Sequence, residues 1–324
     1  MGLPGVAQYF CAVASEAELQ QALVFSRNRQ LQVRILGGGS NTVVNGDIQG
    51  LVIHPQFRGV QTVEDKDNAV ILRVAAGENW HQLVRYCLDN GFYGVENLAL
   101  IPGLVGAAPI QHIGAYGVEL AEVLDSVGIV NIATGRVETL SAEHCQLGYR
   151  DSIFKRELRG RVVITYVDLR LSRVPVINLS YPALAAELPD GELTPMDVFN
   201  TVCQLRLAKL PDPEQIPNAG SFFKNPVLNA EASGKLVTAY PNIPCYPQDG
   251  DCCKFPAAWF IDQAGWKGRR KGNVGVHDKQ ALVLTNLGGA TGQELLAFAE
   301  EIAADVRRLF DVELEMEPVV LGGG

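Results

Sequence analysis

The chain has 324 residues, more than the roughly 150 that one hydrophobic core commonly organises, so two compact units are expected. Apolar residues make up 47% and charged residues 19%, enough to build cores and too little charge for a disordered chain. Lys and Arg number 27 against 36 Asp and Glu, a formal charge of −9, which argues against a nucleic-acid binder that draws its affinity from phosphate neutralisation.

In chain order, Ser15-Glu16-Ala17-Glu18 is a capping box, with Leu19, Ala22 and Leu23 following at helical spacing. The β-prone run at residues 32–36 stops at Gly37-Gly38-Gly39-Ser40-Asn41. Residues 42–44 and 48–53 then flank Asn45-Gly46, which predicts a two-residue hairpin because both turn positions tolerate positive φ. A dinucleotide-binding fingerprint would need a third Gly where Thr42 stands, and a helix where the hairpin is expected. Trp80, Leu83, Val84, Cys87 and Leu88 recur at helical spacing ahead of Asn90-Gly91 and predict an amphipathic helix. Residues 101–117 read IPGLVGAAPIQHIGAYG. Small residues at that density pack a core poorly, but let a backbone approach something flat and bulky.

Strands are predicted at 127–132, 136–140 and 162–171. Thr194-Pro195 opens a helix running to Lys209, and Pro211 and Pro213 mark a domain boundary. Thr291-Gly292-Gln293-Glu294 is a second capping box, followed by Leu295, Phe298, Ile302, Val306 and Leu309 along one face, with a short strand expected at 312–317.

The seven Cys are odd in number, scattered and mostly set in apolar runs, which reads as the reduced thiols of a cytoplasmic protein. Neither they nor the five His show metal-ligand spacing, so no metal is expected. No run approaches the ~20 apolar residues of a membrane span, so no membrane association is expected.

Four segments are richer in polar and small residues than packing requires: 37–41, 101–117, Tyr149-Arg150-Asp151-Ser152 and 218–226. Glycine turns expose consecutive N–H groups that bind pyrophosphate without a lysine, which suits a chain of negative charge. Arg150 offers a planar fork for a carboxylate. Ser221 has neither a G-x-S-x-G elbow nor a nearby His, which disfavours acyl chemistry. Each segment taken alone reads first as structure: ordinary tight turns at 37–41 and 101–117, a solvated surface turn at 149–152, and core aromatics with a capping Ser at 218–226. The basic run Lys267-Gly268-Arg269-Arg270-Lys271 is either a hydrated turn or a screen for anionic substrate.

Taken together, GGGSN at 37–41, IPGLVGAAPIQHIGAYGVEL at 101–120, YRDSIFK at 149–155, NAGSFFKNP at 218–226, FIDQAGWKG at 260–268 and LEMEP at 314–318 resemble the UDP-N-acetylenolpyruvoylglucosamine reductases, flavoenzymes of bacterial peptidoglycan precursor synthesis. The resemblance implies an α+β fold, with a two-lobed FAD-binding domain of the vanillyl-alcohol-oxidase type at 1–210 (lobes about 1–65 and 66–210). A substrate-binding domain at 211–310 follows, and a C-terminal strand at 311–324 returns to the first lobe.

It implies a soluble, cytoplasmic, monomeric enzyme of cell-wall biogenesis, and hence of cell shape, the cell cycle and cell division. NADPH reduces FAD and leaves. Hydride then passes to C3 of UDP-N-acetylglucosamine enolpyruvate, and C2 is protonated to give UDP-N-acetylmuramate. By position, Arg150, Ser221 and Glu317 match the family's catalytic residues. Tyr149, Tyr181, Lys209, Lys224, Asn225 and Gln263 fall to the substrate, with Tyr181 marking the subclass that closes a tyrosine loop. FAD falls to Gly37, Gly38, Gly39, Ser40 and Asn41, and to Ile101, Pro102, Gly103, Gly106, Ala107, Ile110, Gln111, Gly114, Ala115, Tyr116 and Gly117.

Hydride addition piles negative charge onto C2 and its carboxylate, so Arg150 and a protonated Glu317 favour the transition state over the ground state. A Ser hydroxyl keeps its proton at neutral pH and can pass it to a carbanion-like centre. The sequence departs from the family at His112, where Asn is usual, and at Ala107-Ala108, where small polar residues are common. Two other readings stay open: a flavin-dependent sugar or alcohol oxidase of the same fold, and a non-catalytic nucleotide-sugar binding module.

Overall fold

Three helices begin where cap chemistry puts them. In this computed structural model, which describes residues 1–189 and 191–323, Glu16–Asn28 starts at Ser15, whose side chain accepts from the Glu18 N–H. The Glu18 carboxylate reaches past the cap to the Ala14 N–H at 2.7 Å, so the box closes one residue early. Trp80–Asp89 is capped by Asn79 and buries Trp80, Leu83, Val84, Cys87 and Leu88, the stripe read from the sequence. Gly292–Phe310 carries a complete reciprocal box between Thr291 and Glu294 and buries Leu295, Phe298, Ile302 and Val306.

The chain divides into two compact units. One comprises Ala7–Gly38 and Gln49–Ala208. Its main sheet is five-stranded and antiparallel, in the order Val137–Ser141, Leu124–Asn131, Val162–Ser172, Ala69–Ala75, Val60–Lys66. A smaller sheet sets Ala7–Val13 beside Ile48–Pro55, which pairs in parallel with Val33–Ile35. Leu19, Leu72, Trp80, Leu98 and Leu120 are among its fully buried side chains.

The other unit comprises Met1–Val6, Gly39–Ile48 and the chain from Lys209 onward. Its antiparallel sheet runs Asn218–Ser221, Val283–Asn286, Val274–Val276, Arg270–Lys271. Its core is aromatic: Phe222, Phe223, Phe255, Phe260 and Phe298 are all but inaccessible. Helices and mainly antiparallel strands mix in both units, an α+β architecture.

Three expectations are corrected. Asn45-Gly46 does not turn a hairpin. Thr42–Val44 pairs in parallel with Val319–Leu321, and the Asn45 N–H donates to the Leu321 carbonyl, while Ile48–Pro55 belongs to a different sheet. The exclusion of a dinucleotide fingerprint therefore rests on Thr42 and on the strand that replaces the helix. The C-terminal strand is Val319–Leu321 rather than 312–317. Residues 312–317 form no strand of their own, and meet the chain at 222–224 through a Phe223–Met316 bridge, a Lys224 N–H to Glu315 carbonyl bond and a Glu317 N–H to Phe222 carbonyl bond. Not all thiols are reduced: Cys245 and Cys253 form a disulfide, because the Tyr246–Pro247 and Cys253–Lys254 strands bring their Cα atoms to 5.9 Å.

Candidate active site

The segment at 101–117 is held in place from its first residue. Leu100 sits at φ +58°, a left-handed conformation that costs a branched side chain energy. Two side chains pay for it: His81 Nδ1 accepts the Leu100 N–H at 3.0 Å, and Arg206 Nε donates to the Leu100 carbonyl at 3.2 Å. Burial lowers the pKa of both His81 and Arg206, the latter also feeling Arg150. His81 further stacks on Phe199. The sequence reading missed this clamp, since a lone His and a lone Arg on two helices carry no motif.

Further on, Trp80 Nε1 donates to the Leu98 carbonyl, and Asn97 Nδ2 donates to the carbonyls of Tyr116 and Asn178. Gly106 is required: a Cβ there would stand 2.7 Å from that of Ala76. Gly38 packs on Gly103, whose Cα would lie 3.4 Å from an added Cβ.

Arg150 is set by the same segment. Its Nη1 donates to the His112 carbonyl at 2.9 Å and its Nη2 to the Gly114 carbonyl at 2.8 Å. Its own carbonyl accepts from Lys155 Nζ at 2.9 Å, and its guanidinium carbon lies 5.5 Å from the centre of the Tyr149 ring. The backbone at Arg150 has φ +51°, within a turn bridged between Gly148 and Asp151. Ser152 ties that turn to the Ile110 carbonyl.

His112 is 3% exposed, and its Nδ1 donates to the Gly148 carbonyl at 2.6 Å. Its Nε2 lies 3.7 Å from Glu119 Oε2. The His112 ring thus braces the Arg150 turn. Tyr181 precedes the short helix Pro182–Ala185 and meets the Tyr116 ring edge-on at 5.3 Å. Desolvation raises the Tyr116 hydroxyl pKa.

In the second unit, Ser221 ends a strand that bulges between Asn218 and Ser221 against Val283–Asn286. Gly220, at φ +69°, supplies the bend, and its N–H donates to Asn218 Oδ1. Phe222 and Phe223 anchor the segment in the core and leave Ser221 exposed. The Ser221 hydroxyl makes no hydrogen bond among the described residues. One residue on, the Phe222 carbonyl accepts the Glu317 N–H at 2.9 Å, which brings Glu317 beside this strand.

Lys224 Nζ pairs with Glu315 at 2.5 Å, and Asn225 Oδ1 accepts the Ala257 N–H at the start of the helix Ala257–Gln263. Gln263, at the far end of that helix, and Lys209 are exposed. The basic run is engaged: Lys267 pairs with Asp262, Lys271 with Glu301, and Arg269 lies over Trp266. The predicted residues therefore fall in two groups. Arg150, Tyr149, Tyr181, Gly37, Gly38 and residues 101–117 lie in one unit, and Ser221, Glu317, Lys209, Lys224, Asn225, Gln263 and Gly39 to Asn41 in the other.

Each of the segments assigned to a flavin carries a buried polar atom left unpartnered among the described residues, Asn41 Oδ1 in one and Gln111 Oε1 in the other, an arrangement that native proteins otherwise avoid.

Comparison with known proteins bears on the whole chain. Residues 7–141 match the FAD binding domain model, and 212–321 match that of the UDP-N-acetylenolpyruvoylglucosamine reductase C-terminal domain. The chain is 47% identical to the UDP-N-acetylenolpyruvoylglucosamine reductase of Burkholderia multivorans, over 99% of this chain and 93% of that protein. It is 48% identical to the one from Paraburkholderia phymatum, over 97% and 92%. The crystal structure of the Thermus caldophilus reductase superposes with a TM-score of 0.66 at 22% identity, over 97% of this chain and 92% of that one, a likeness of fold.

Proposed function

The chain belongs to the UDP-N-acetylenolpyruvoylglucosamine reductase family, and from that premise we infer that it reduces UDP-N-acetylglucosamine enolpyruvate to UDP-N-acetylmuramate with FAD as cofactor and NADPH as electron source. The fold is an FAD-binding domain followed by the family's C-terminal domain. We assign residues 1–210 to the flavin, 211–310 to the substrate and 311–324 to the closing strand. On the same reading the protein is a cytoplasmic monomer serving wall synthesis, and with it cell shape and division. No helix among the described residues is long and apolar enough to cross a membrane.

FAD fits the residues present: in one unit the backbone at 101–117 would hold it, with the unpartnered amide oxygen of Gln111 as an acceptor, and the amide oxygen of Asn41 in the other unit is likewise unpartnered among the described residues. Bound there, it supplies hydride chemistry. The protein's own part is to manage the charge and the proton at the substrate. Arg150 presents a fixed cation to the carboxylate where negative charge develops, and its two carbonyl partners keep it from reorganising during the step. Glu317 in its protonated form donates a second hydrogen bond to that charge. Ser221 gives its proton to C2, and no protein acceptor among the described residues competes for it. Tyr149, Tyr181, Lys209, Lys224, Asn225 and Gln263 hold the nucleotide sugar.

The observation that carries this reading is the seat of Arg150 on the carbonyls of His112 and Gly114, which joins the cation to the flavin segment. Ser221→Ala tests it. In anaerobic stopped flow the variant is expected to keep its flavin and its reduction by NADPH, and to pass electrons to the enolpyruvyl sugar at least ~10³-fold more slowly. Normal turnover by the variant would end the assignment of Ser221 as acid.

A further inference from the structure

We propose that Cys245 and Cys253 form a reversible thiol–disulfide exchange site, whose reaction partners are low-molecular-weight disulfides and thiols, and which fixes the hairpin that abuts Asn225. The two cysteines are joined across neighbouring strands with Cα atoms 5.9 Å apart, inside the range a disulfide bridges without backbone movement. Cys245 is exposed, as are residues 246–251, whereas Cys253 is 3% exposed at the margin of the aromatic core. Of the two, Cys245 is therefore the partner on the solvent side. Cys252 is half-exposed and free, with its Sγ 3.6 Å from the Gly250 carbonyl. Cys11, Cys87, Cys145 and Cys203 are free as well. One exposed bond among so many free thiols is the pattern of a labile, switching disulfide rather than of a disulfide scaffold.

The exchange balances without any other reactant. The Cys245 thiolate attacks one sulfur of the small disulfide, forming a mixed disulfide and expelling one small thiolate. The Cys253 thiolate then attacks the Cys245 sulfur and expels the second. Two protein thiols are oxidised, one small disulfide is reduced to two thiols, and the two protons pass to the thiolates released. Reduction runs the same steps backwards.

The strand that carries Cys253 explains what the bond does. Cys253–Lys254 pairs with Tyr246–Pro247 on one side and with Val227–Leu228 on the other. Val227 follows Asn225-Pro226 directly. Phe255 N–H donates to the Pro226 carbonyl at 2.9 Å, and Ala257 N–H donates to Asn225 Oδ1 at 2.9 Å. Closing the bond removes conformations of the exposed turn and holds the strand on which the Asn225 segment leans. This consequence rests on the reading of Asn225 as a substrate residue. The oxidised form is expected to show a KM for the nucleotide sugar roughly three- to tenfold below that of the reduced form, because less ordering is left for binding. Reduction of the flavin by NADPH is expected to be the same in both.

The test equilibrates the holoenzyme in graded mixtures of reduced and oxidised glutathione, alkylates the free thiols, and reads peptide masses and KM from the same samples. Support is a disulfide between Cys245 and Cys253 that forms and opens across the series, with KM falling as it forms. Cys252→Ser is expected to keep the transition. Cys245→Ser and Cys253→Ser are expected to abolish it and hold KM at the reduced value. Full alkylation of both cysteines in every mixture, a bond that no mixture opens, or pairing of Cys245 with Cys252 would overturn the site. A bond that forms with KM constant would overturn its coupling to Asn225. Asn225→Ala separates the two readings: an unaltered KM in that variant removes Asn225 from the substrate site, while the mass series still decides the exchange.

Discussion

Arg150 and Ser221 are held in opposite ways. Arg150 sits in a unit whose interior includes polar groups, among them Glu96, Asn97, His112, Ser126, Ser152 and Asp168, and its guanidinium is tied to two main-chain carbonyls. Ser221 sits in a unit with an aromatic core, on a bulged strand whose next two residues are anchored while its own hydroxyl is untethered and exposed. A cation that stabilises developing charge gains from being fixed before the reaction. A proton donor gains from having no competing acceptor. On the mechanism proposed above, the contrast between seat and bulge answers to two catalytic tasks.

The serine variant described above removes the donor and carries the largest expected effect. Next comes Arg150→Lys, which keeps the charge but loses the fork that spans the His112 and Gly114 carbonyls. Transfer to the sugar is expected to fall roughly 10²- to 10³-fold with flavin reduction intact. Near-normal rates, measured by the same stopped flow, would show that charge alone suffices and that the seat is incidental. His112→Ala probes the seat from behind. It strips the Gly148 carbonyl of its ring donor and is expected to cost about 1–3 kcal/mol of stability. Thermal unfolding measures this, and an unchanged Tm would mean that the turn around Arg150 stands without its brace.

How much of this was legible beforehand follows the same division. The helices Trp80–Asp89, Pro195–Lys209 and Gly292–Phe310 announce themselves, because caps and apolar stripes are local. Asn45-Gly46 misleads, because the partner of Thr42–Val44 is a parallel strand at the other end of the chain and no local pattern encodes that pairing. At the site, the density of small and polar residues marks the segments around Arg150 and Ser221. The acceptors that seat Arg150 are main-chain carbonyls, which every residue has and no sequence reveals. The clamp of His81 and Arg206 on Leu100 depends on a backbone angle, and three neighbouring cysteines leave their pairing open until strand register decides it.

On the Ser221 side, Thr291→Ala removes the hydroxyl half of the box at the start of the last helix and leaves the main-chain N–H half in place. Thr291 Oγ1 accepts the Glu294 N–H, and the Thr291 hydroxyl and N–H both donate to the Glu294 carboxylate. The expected loss is about 1 kcal/mol, read by denaturant titration. Because these groups are exposed, the effect is expected to stay below that of His112→Ala, and a larger loss would mean that an exposed cap outweighs a buried brace.

The smallest effect concerns Glu96, 2% exposed in the Arg150 unit, where its carboxylate accepts the Gly94 N–H at 2.7 Å. Desolvation raises its pKa despite that bond and others from the nearby backbone. The folded chain therefore keeps the proton at a pH where the unfolded chain has lost it. The stability that protonation contributes is complete below the unfolded-state pKa, and declines as pH rises through the folded one. Glu96→Gln preserves an acceptor for Gly94 and removes the titration. The variant is expected to be the more stable protein at neutral pH, and to lose that advantage as the pH is lowered past the carboxylate range. Tm measured against pH for both proteins decides the matter: parallel curves would mean that Glu96 carries no burial penalty, contrary to what its burial in the unit that also buries His112 and Asp168 implies.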